Sequence, residues 1–139
     1  MFGALEISTS ALVAQRTRMD SIAGNIANAF TMVDAQGRPD PYKRRMVLFA
    51  EGNPAAGPNA PGVHVSEIRE DPTPGRLEWA PGHPHAIQDG RWKGYVRMPN
   101  VDLSTEMVNA IEASRAYEAN VTVMDATKSM ISGSLRLLA

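Results

Sequence analysis

The sequence contains no cysteine, so neither a disulfide framework nor a thiolate zinc site is available to it, and its chemistry suits a reducing or an oxidising compartment. Aromatic residues make up only 6% of the 139 positions, while ten are proline. Together these leave little material for a large core and disfavour a compact enzyme. Neither sign of charge prevails: 14 basic residues against 15 acidic ones give a net charge of −1. That removes the electrostatic case for a protein that binds nucleic acid or a membrane surface. No run approaches the roughly 18 apolar residues of a spanning helix. The opening stretch lacks a basic n-region, and Glu6 and Ser8 interrupt its apolar character. A cleaved secretory signal is therefore not expected, and passage out of the cytoplasm requires a route that needs none.

Proline is absent before Pro39 and after Pro99, which divides the chain into two uninterrupted ends and a punctuated middle. The spacing predicts a helix from about Leu5 to Asn28, because Leu5, Leu12, Met19 and Ile26 recur every seven residues, with Ile22 and Ala29 at the intervening heptad position. Ser8 and Gln15 hold that same position nearer the start, so this seam is half polar and needs a partner. A longer helix is expected at the other end. There Ala110, Tyr117, Met124, Ile131 and Leu138 form one seven-residue series, flanked by Met107, Ser114, Val121, Lys128 and Leu135. Asp102 or Ser104 is suited to cap it, and Glu106 and Glu112 near its start with Lys128 and Arg136 near its end match the helix dipole.

At 1.5 Å per residue these helices run about 36 Å and about 54 Å, so a pair leaves more than one turn of the longer one uncovered. Ile7, Ala11 and Ala14 on the first and Ile111, Val123 and Met130 on the second widen the apolar faces beyond a two-stranded seam. Such a surplus implies contacts with further subunits.

Between the helices, Tyr42 to Phe49 and Gly62 to Ile68 read as short strands, and Arg76 to Trp79 and Tyr95 to Met98 as two more. Asn53 to Pro61 has the composition of a mobile loop. The fold expected is therefore mainly α with a small β-rich insertion, the long N- and C-terminal helices pairing as a coiled coil around a loop-rich β module. The divisions are residues 1–31, 32–101 and 102–139. Trp79, Trp92 and Tyr95 are the expected anchors of the module.

Motifs for chemistry are poor. His83, His85 and nearby Asp89 offer nitrogen and oxygen ligands for a metal-dependent periplasmic hydrolase, but a histidine pair split by proline matches no common zinc spacing. A proline-shaped surface turn is the simpler reading. No serine lies in a Gly-x-Ser-x-Gly elbow, and no glycine-rich loop leads from a strand into a helix. Glu70, Asp71 and Glu78 read as solvated loop charges, and Lys43-Arg44-Arg45 as the start of an edge strand kept soluble by charge. The expectation is no catalytic residue, no cofactor and no metal. Asn25 and Asn28, three apart in IAGNIANAFT, fit a helix stop. Asn120, in mid-helix where asparagine is a poor helix former, is expected to bond across an interface.

These residues also resemble a known group. Ser21 to Thr31 (SIAGNIANAFT) resembles the N-terminal motif shared by flagellar rod, hook and hook-associated proteins. Gly94 to Asn109 (GYVRMPNVDLSTEMVN), Ala113 to Asn120 (ASRAYEAN) and Lys128-Ser129-Met130 are similar to the C-terminal half of the proximal-rod members of that family. Gly24 and Phe30 depart from it where polar residues, often asparagine, are usual. The resemblance implies a structural subunit of the rod, exported unfolded through the flagellum-specific type III channel without signal cleavage. It further implies that the terminal helices line a tube wall, with the β module outside, in a shaft that crosses the periplasm. Its partners would be further copies, other rod proteins and the rod-base adaptor. The competing reading from the helices alone is a helical secretion adaptor or chaperone. Residues expected at subunit contacts are Leu5, Leu12, Met19, Ile22, Asn25, Ile26 and Asn28, and Met107, Ile111, Tyr117, Asn120, Val121, Met124, Ile131, Leu135 and Leu138.

Overall fold

The computed structural model describes residues 2–57 and 60–138, and the side chains of residues 2, 137 and 138 lie outside that description. Two helices flank two small antiparallel sheets: α1 (Phe2–Ala27), β1 (Arg45–Glu51), β2 (Val63–Glu70), β3 (Leu77–Trp79), β4 (Tyr95–Arg97) and α2 (Leu103–Leu138). The proline-free ends are thus continuous helices, and the expected fold class is the one observed.

Helix α1 stops where Asn28 turns its amide back to the Gly24 carbonyl at 2.9 Å, and the Thr31 hydroxyl in turn donates to Asn28. Helix α2 begins behind Asp102, whose carboxylate accepts the Ser104 and Thr105 N–H groups and, at 2.6 Å, the Thr105 hydroxyl. That is the N-cap arrangement, and it satisfies donors which the first turn cannot pair internally.

Strands β1 and β2 form a hairpin with Arg45 opposite Glu70 and Glu51 opposite Val63. The register shifts after Leu48, so that Ser66 is the extra residue of a bulge. Its hydroxyl donates to the Leu48 carbonyl. The first strand starts later than its sequence suggests because Tyr42, Arg44 and the Arg45 amide are engaged with the helices instead. The second runs on to Glu70, since Arg45 and Met46 still have partners there. Pro58 and Asn59 of the loop that closes this hairpin lie outside the described residues.

The second sheet, β3 with β4, is continued by two bonds between Ile87 and the Gly94–Tyr95 segment. Its core is Ala86, Val96 and Met98, with Met32 and Ala80 packed against them. The tryptophans do not fill that core. Trp79 is 61% exposed and Trp92 43% exposed, and both meet Tyr95 edge-on at 5.0 and 5.7 Å. With so few strands the sheet has no second layer to cover its aromatics. Gly94 has φ 82°, and a Cβ there would stand 2.7 Å from the Trp79 ring. Only glycine tolerates that approach.

Candidate functional site

The helices pair antiparallel, as two cross-helix contacts show: Asn25 meets Glu106, and Arg18 meets Glu112 further along. With 26 residues against 36, α2 overruns the start of α1, as the lengths require. The first helix also packs against the hairpin, where the Ser10 hydroxyl accepts the Val63 N–H. It is thus sandwiched between α2 and β1–β2, which uses more of its circumference than one heptad stripe.

That sandwich decides where the expected contact residues fall. On α1, Ile22 and Asn25 are buried, and Leu5, Leu12, Met19, Ile26 and Asn28 are half-buried. On α2, Tyr117, Asn120, Val121, Met124 and Ile131 are half-buried, while Met107, Ile111 and Leu135 are exposed by 55%, 55% and 62%. The side chain of Leu138 lies outside the description. Asn120 donates to the Ala116 carbonyl of its own helix at 2.8 Å. That bond is not the cross-interface contact expected of it, because a short amide on a helix reaches the carbonyl one turn back.

Most of the deeply buried helix positions are ones the seven-residue apolar series did not single out, Ile22 being the exception. On α2 they are Glu106, Ala113 and Thr127, with Asn120 completing a seven-residue series; Ala113 is fully buried. On α1 they include Ser8 and Ala14, and also Ser10, which faces the hairpin. Alanine and short polar side chains thus hold many of the buried helix positions, and Thr127 satisfies its own hydroxyl on the Val123 carbonyl. A search for apolar residues at seven-residue spacing passes over such a line, although the spacing itself is present.

At the closed end of the pair lies a buried polar cluster drawn from four segments. Asn25 uses all four of its hydrogen-bonding positions. Its Nδ2 donates to the Arg45 carbonyl and to Glu106 Oε2, both at 2.9 Å, and its Oδ1 accepts the Arg45 N–H at 2.8 Å and the Tyr42 hydroxyl at 3.1 Å. The other carboxylate oxygen of Glu106 accepts Arg44 Nε at 2.7 Å. The Arg44 N–H donates to Asn100 Oδ1, and its guanidinium also lies 3.9 Å from Asp71. Asn25 and Glu106 are each 1% exposed and are the largest fully buried side chains among the described residues. Glu106 lies in the first turn of α2, where the helix dipole favours an anion. Burial raises the Tyr42 phenol above its ordinary value of 10.0, the Arg45 guanidinium opposing and Glu70 and Glu106 adding to the rise. Tyr42 therefore stays a donor to Asn25. Arg44, read from sequence as a solubilising edge charge, is the counter-ion of this cluster. Only folding brings Glu106 to it.

The Thr105 hydroxyl, then the Thr105 and Ser104 N–H groups, hold Asp102 below its ordinary carboxyl value of 3.8. A depressed folded value means that the cap's contribution is complete above pH 3.8 and is lost as pH falls through the lower one. Asp102→Asn is accordingly expected to show a shallower loss of thermal stability than the native chain between pH 5 and pH 2, as followed by circular dichroism. Equal slopes would show that the cap does not titrate with folding.

His83 and His85 face each other at a ring separation of 5.5 Å, and His83 Nδ1 accepts the His85 N–H. That contact closes a turn, in line with the simpler reading. Among the described residues no group of three His, Asp or Glu side chains is placed to hold a metal ion.

Comparison with known proteins extends this picture. Residues 5–32 match the family described as flagella basal body rod protein, and residues 93–137 match the C-terminal family of the flagellar basal body rod FlgEFG proteins. Asn25 lies in the first matched segment and Asn100 and Glu106 in the second, so the polar cluster joins the two. The chain is similar along its length to proteins named flagellar basal-body rod protein FlgC. That of Borreliella burgdorferi is 42% identical, covering 99% of this chain and 97% of that one. That of Yersinia enterocolitica is 45% identical over 95% and 93%, and that of Bacillus subtilis 40% identical over 98% and 97%.

Proposed function

This chain belongs to the FlgC family of flagellar basal-body rod proteins and is a structural subunit of the rod; from that premise we propose that it polymerises through α1 and α2 into the proximal part of the shaft that transmits motor torque. In this reading residues 1–31 and 102–139 make the tube wall, and the module of residues 32–101 lies outside it. The subunit carries no catalytic function. It leaves the cytoplasm unfolded through the flagellar type III export channel, without signal cleavage, and joins further copies, other rod proteins and the rod-base adaptor in the periplasm.

One observation carries the assembly reading. Met107, Val108, Ile111, Val123, Met130 and Leu135 all stand at least half exposed along α2, up to and beyond the reach of α1. So many large apolar side chains around one long helix are more than a solitary subunit can leave in water at no cost. Neighbouring subunits lying side by side around an axis would cover it, and the methionines among them adapt to slightly different neighbours.

The test is Ile111→Asp. Because Ile111 is exposed within the chain, the substitution is expected to change subunit stability by no more than about 0.5 kcal/mol. In a covered interface, however, it buries an unpaired charge. We expect normal secretion of the variant, no swimming in soft agar, and no rod beyond the membrane ring in electron micrographs of isolated basal bodies. Wild-type swimming would remove this face from the interface, and a discrete soluble complex of normal composition would favour a secretion adaptor.

A further inference from the structure

The helix seam has little in it to choose one alignment over another. On α2 its line is Glu106, Ala113, Asn120 and Thr127, and Ser8 and Ile22 on α1 with Ala29 just past its end fall on a seven-residue spacing that Gln15 continues. Most of these side chains are small or short. A slip of one heptad, about 10 Å along the axis, would therefore set alanine and hydroxyl groups against others of similar size. Besides the exposed Arg18–Glu112 pair, the buried feature that does not survive such a slip is the polar cluster, because Glu106 parts from both Asn25 and Arg44.

We propose that Asn25, Glu106 and Arg44 form a register key, which fixes the turn of α2 that faces each turn of α1 and fastens that alignment to the β1–β2 hairpin. The chemistry suits this role better than it suits general stabilisation. A buried ion pair adds little net stability over apolar packing, whereas removing one partner is costly, and setting register is its best-attested use. The key is also specific in its atoms. Glu106 receives donors on both oxygens, Arg44 Nε on one and Asn25 Nδ2 on the other. A glutamine of the same shape offers one acceptor and one donor, so either orientation sets donor against donor. Arg44 leads directly into β1, and its own N–H is bound to Asn100 just before α2. Alignment of the helices and seating of the hairpin are thus one event. The inference stands on contacts within the chain. It rests on the rod reading only for its consequence, that a slipped subunit would present Met107 and Ile111 about 10 Å from where its neighbour meets them.

The absence of cysteine makes the test direct. Arg18→Cys and Glu112→Cys, at the exposed cross-helix pair outside the key, are labelled with nitroxides in the purified full-length chain, and the distance between them is measured by electron paramagnetic resonance. The native key is expected to give a single short distance. Glu106→Gln is expected to add a second population displaced by about one heptad, or to broaden the distribution towards it. Ala113→Gly, which weakens the seam without touching the key, is expected to lower the melting temperature and leave the single short distance alone. A single short distance in Glu106→Gln, with only a lower melting temperature, would overturn the proposal, as would a second distance in Ala113→Gly. If Glu106→Gln loses its helical signal, the measurement is repeated in trimethylamine N-oxide, which favours the compact state without restoring the lost bonds. A second or broadened distance there supports the key, and a single short distance, or a chain that stays without helix, overturns it. Because this readout is intramolecular, it is independent of the motility test of Ile111.

Discussion

Glu106→Ala is expected to destabilise the subunit by about 3 kcal/mol and to abolish swimming. The side chain is 1% exposed and accepts Arg44 Nε at 2.7 Å and Asn25 Nδ2 at 2.9 Å. Truncation removes the acceptor of Arg44 Nε–H and of one Asn25 Nδ2–H at a position all but closed to solvent, and a buried donor without a partner costs more than its bond contributed. Against a typical domain stability of about 5 to 15 kcal/mol, a loss of that size lowers the folded-to-unfolded ratio by about two decades. Urea denaturation of the purified chain measures it. The partner truncations should not add fully: Asn25→Ala on top of Glu106→Ala is expected to cost less than it does alone, since one of the four Asn25 bonds is shared with Glu106. Full additivity would show that the cluster is a set of independent contacts, and a change under about 1 kcal/mol for Glu106→Ala alone would show that water reaches the site.

Ala113→Leu is the second substitution with a large expected effect. Ala113 is fully buried in the seam of α2, and Ala14 on α1 is 2% exposed. Three extra carbon atoms have no space there unless the helices part, and overpacking of this kind costs about 1 to 3 kcal/mol. Separation of the helices also shifts the outward face that carries Met107 and Ile111, so motility is expected to fall further than stability alone explains. Ala119→Leu provides the control. It lies on the exposed side of the same helix and is expected to leave stability within about 0.5 kcal/mol of the native chain. Equal effects of the two changes would mean that the seam is loose enough to accept leucine.

Both substitutions concern residues that periodicity alone does not mark. Glutamate carries no apolar signal and alanine only a weak one, and Glu106 and Ala113 each sit one residue before a member of the predicted series, Met107 and Ser114. The reading of Met107, Ile111 and Leu135 as surplus apolar surface was available without coordinates, because a helix with apolar residues around more than one stripe cannot bury them all against a single partner. The burial of Glu106 was not available, since its only visible sign was an acid near a helix start, which the dipole explains at the surface just as well. Arg44 is a similar case. In a run with Lys43 and Arg45 it looks like solvated charge, and its role depends on a distant segment of the chain folding beside it.

The amino-acid sequence by itself determined the two-helix frame, because proline confined between Pro39 and Pro99 permits long helices only at the ends. It also determined the small β insertion between them and, through SIAGNIANAFT and GYVRMPNVDLSTEMVN, the resemblance to flagellar rod proteins. Those are properties of local conformation and of residue order. The tertiary structure alone decided that α1 lies between α2 and the hairpin, that alanine and short polar side chains hold many of the buried helix positions, and that Asn25, Arg44 and Glu106 meet in one buried cluster. Local propensity does not encode which distant polar groups will satisfy one another. Such a pairing becomes favourable only once packing has excluded water from all of them together.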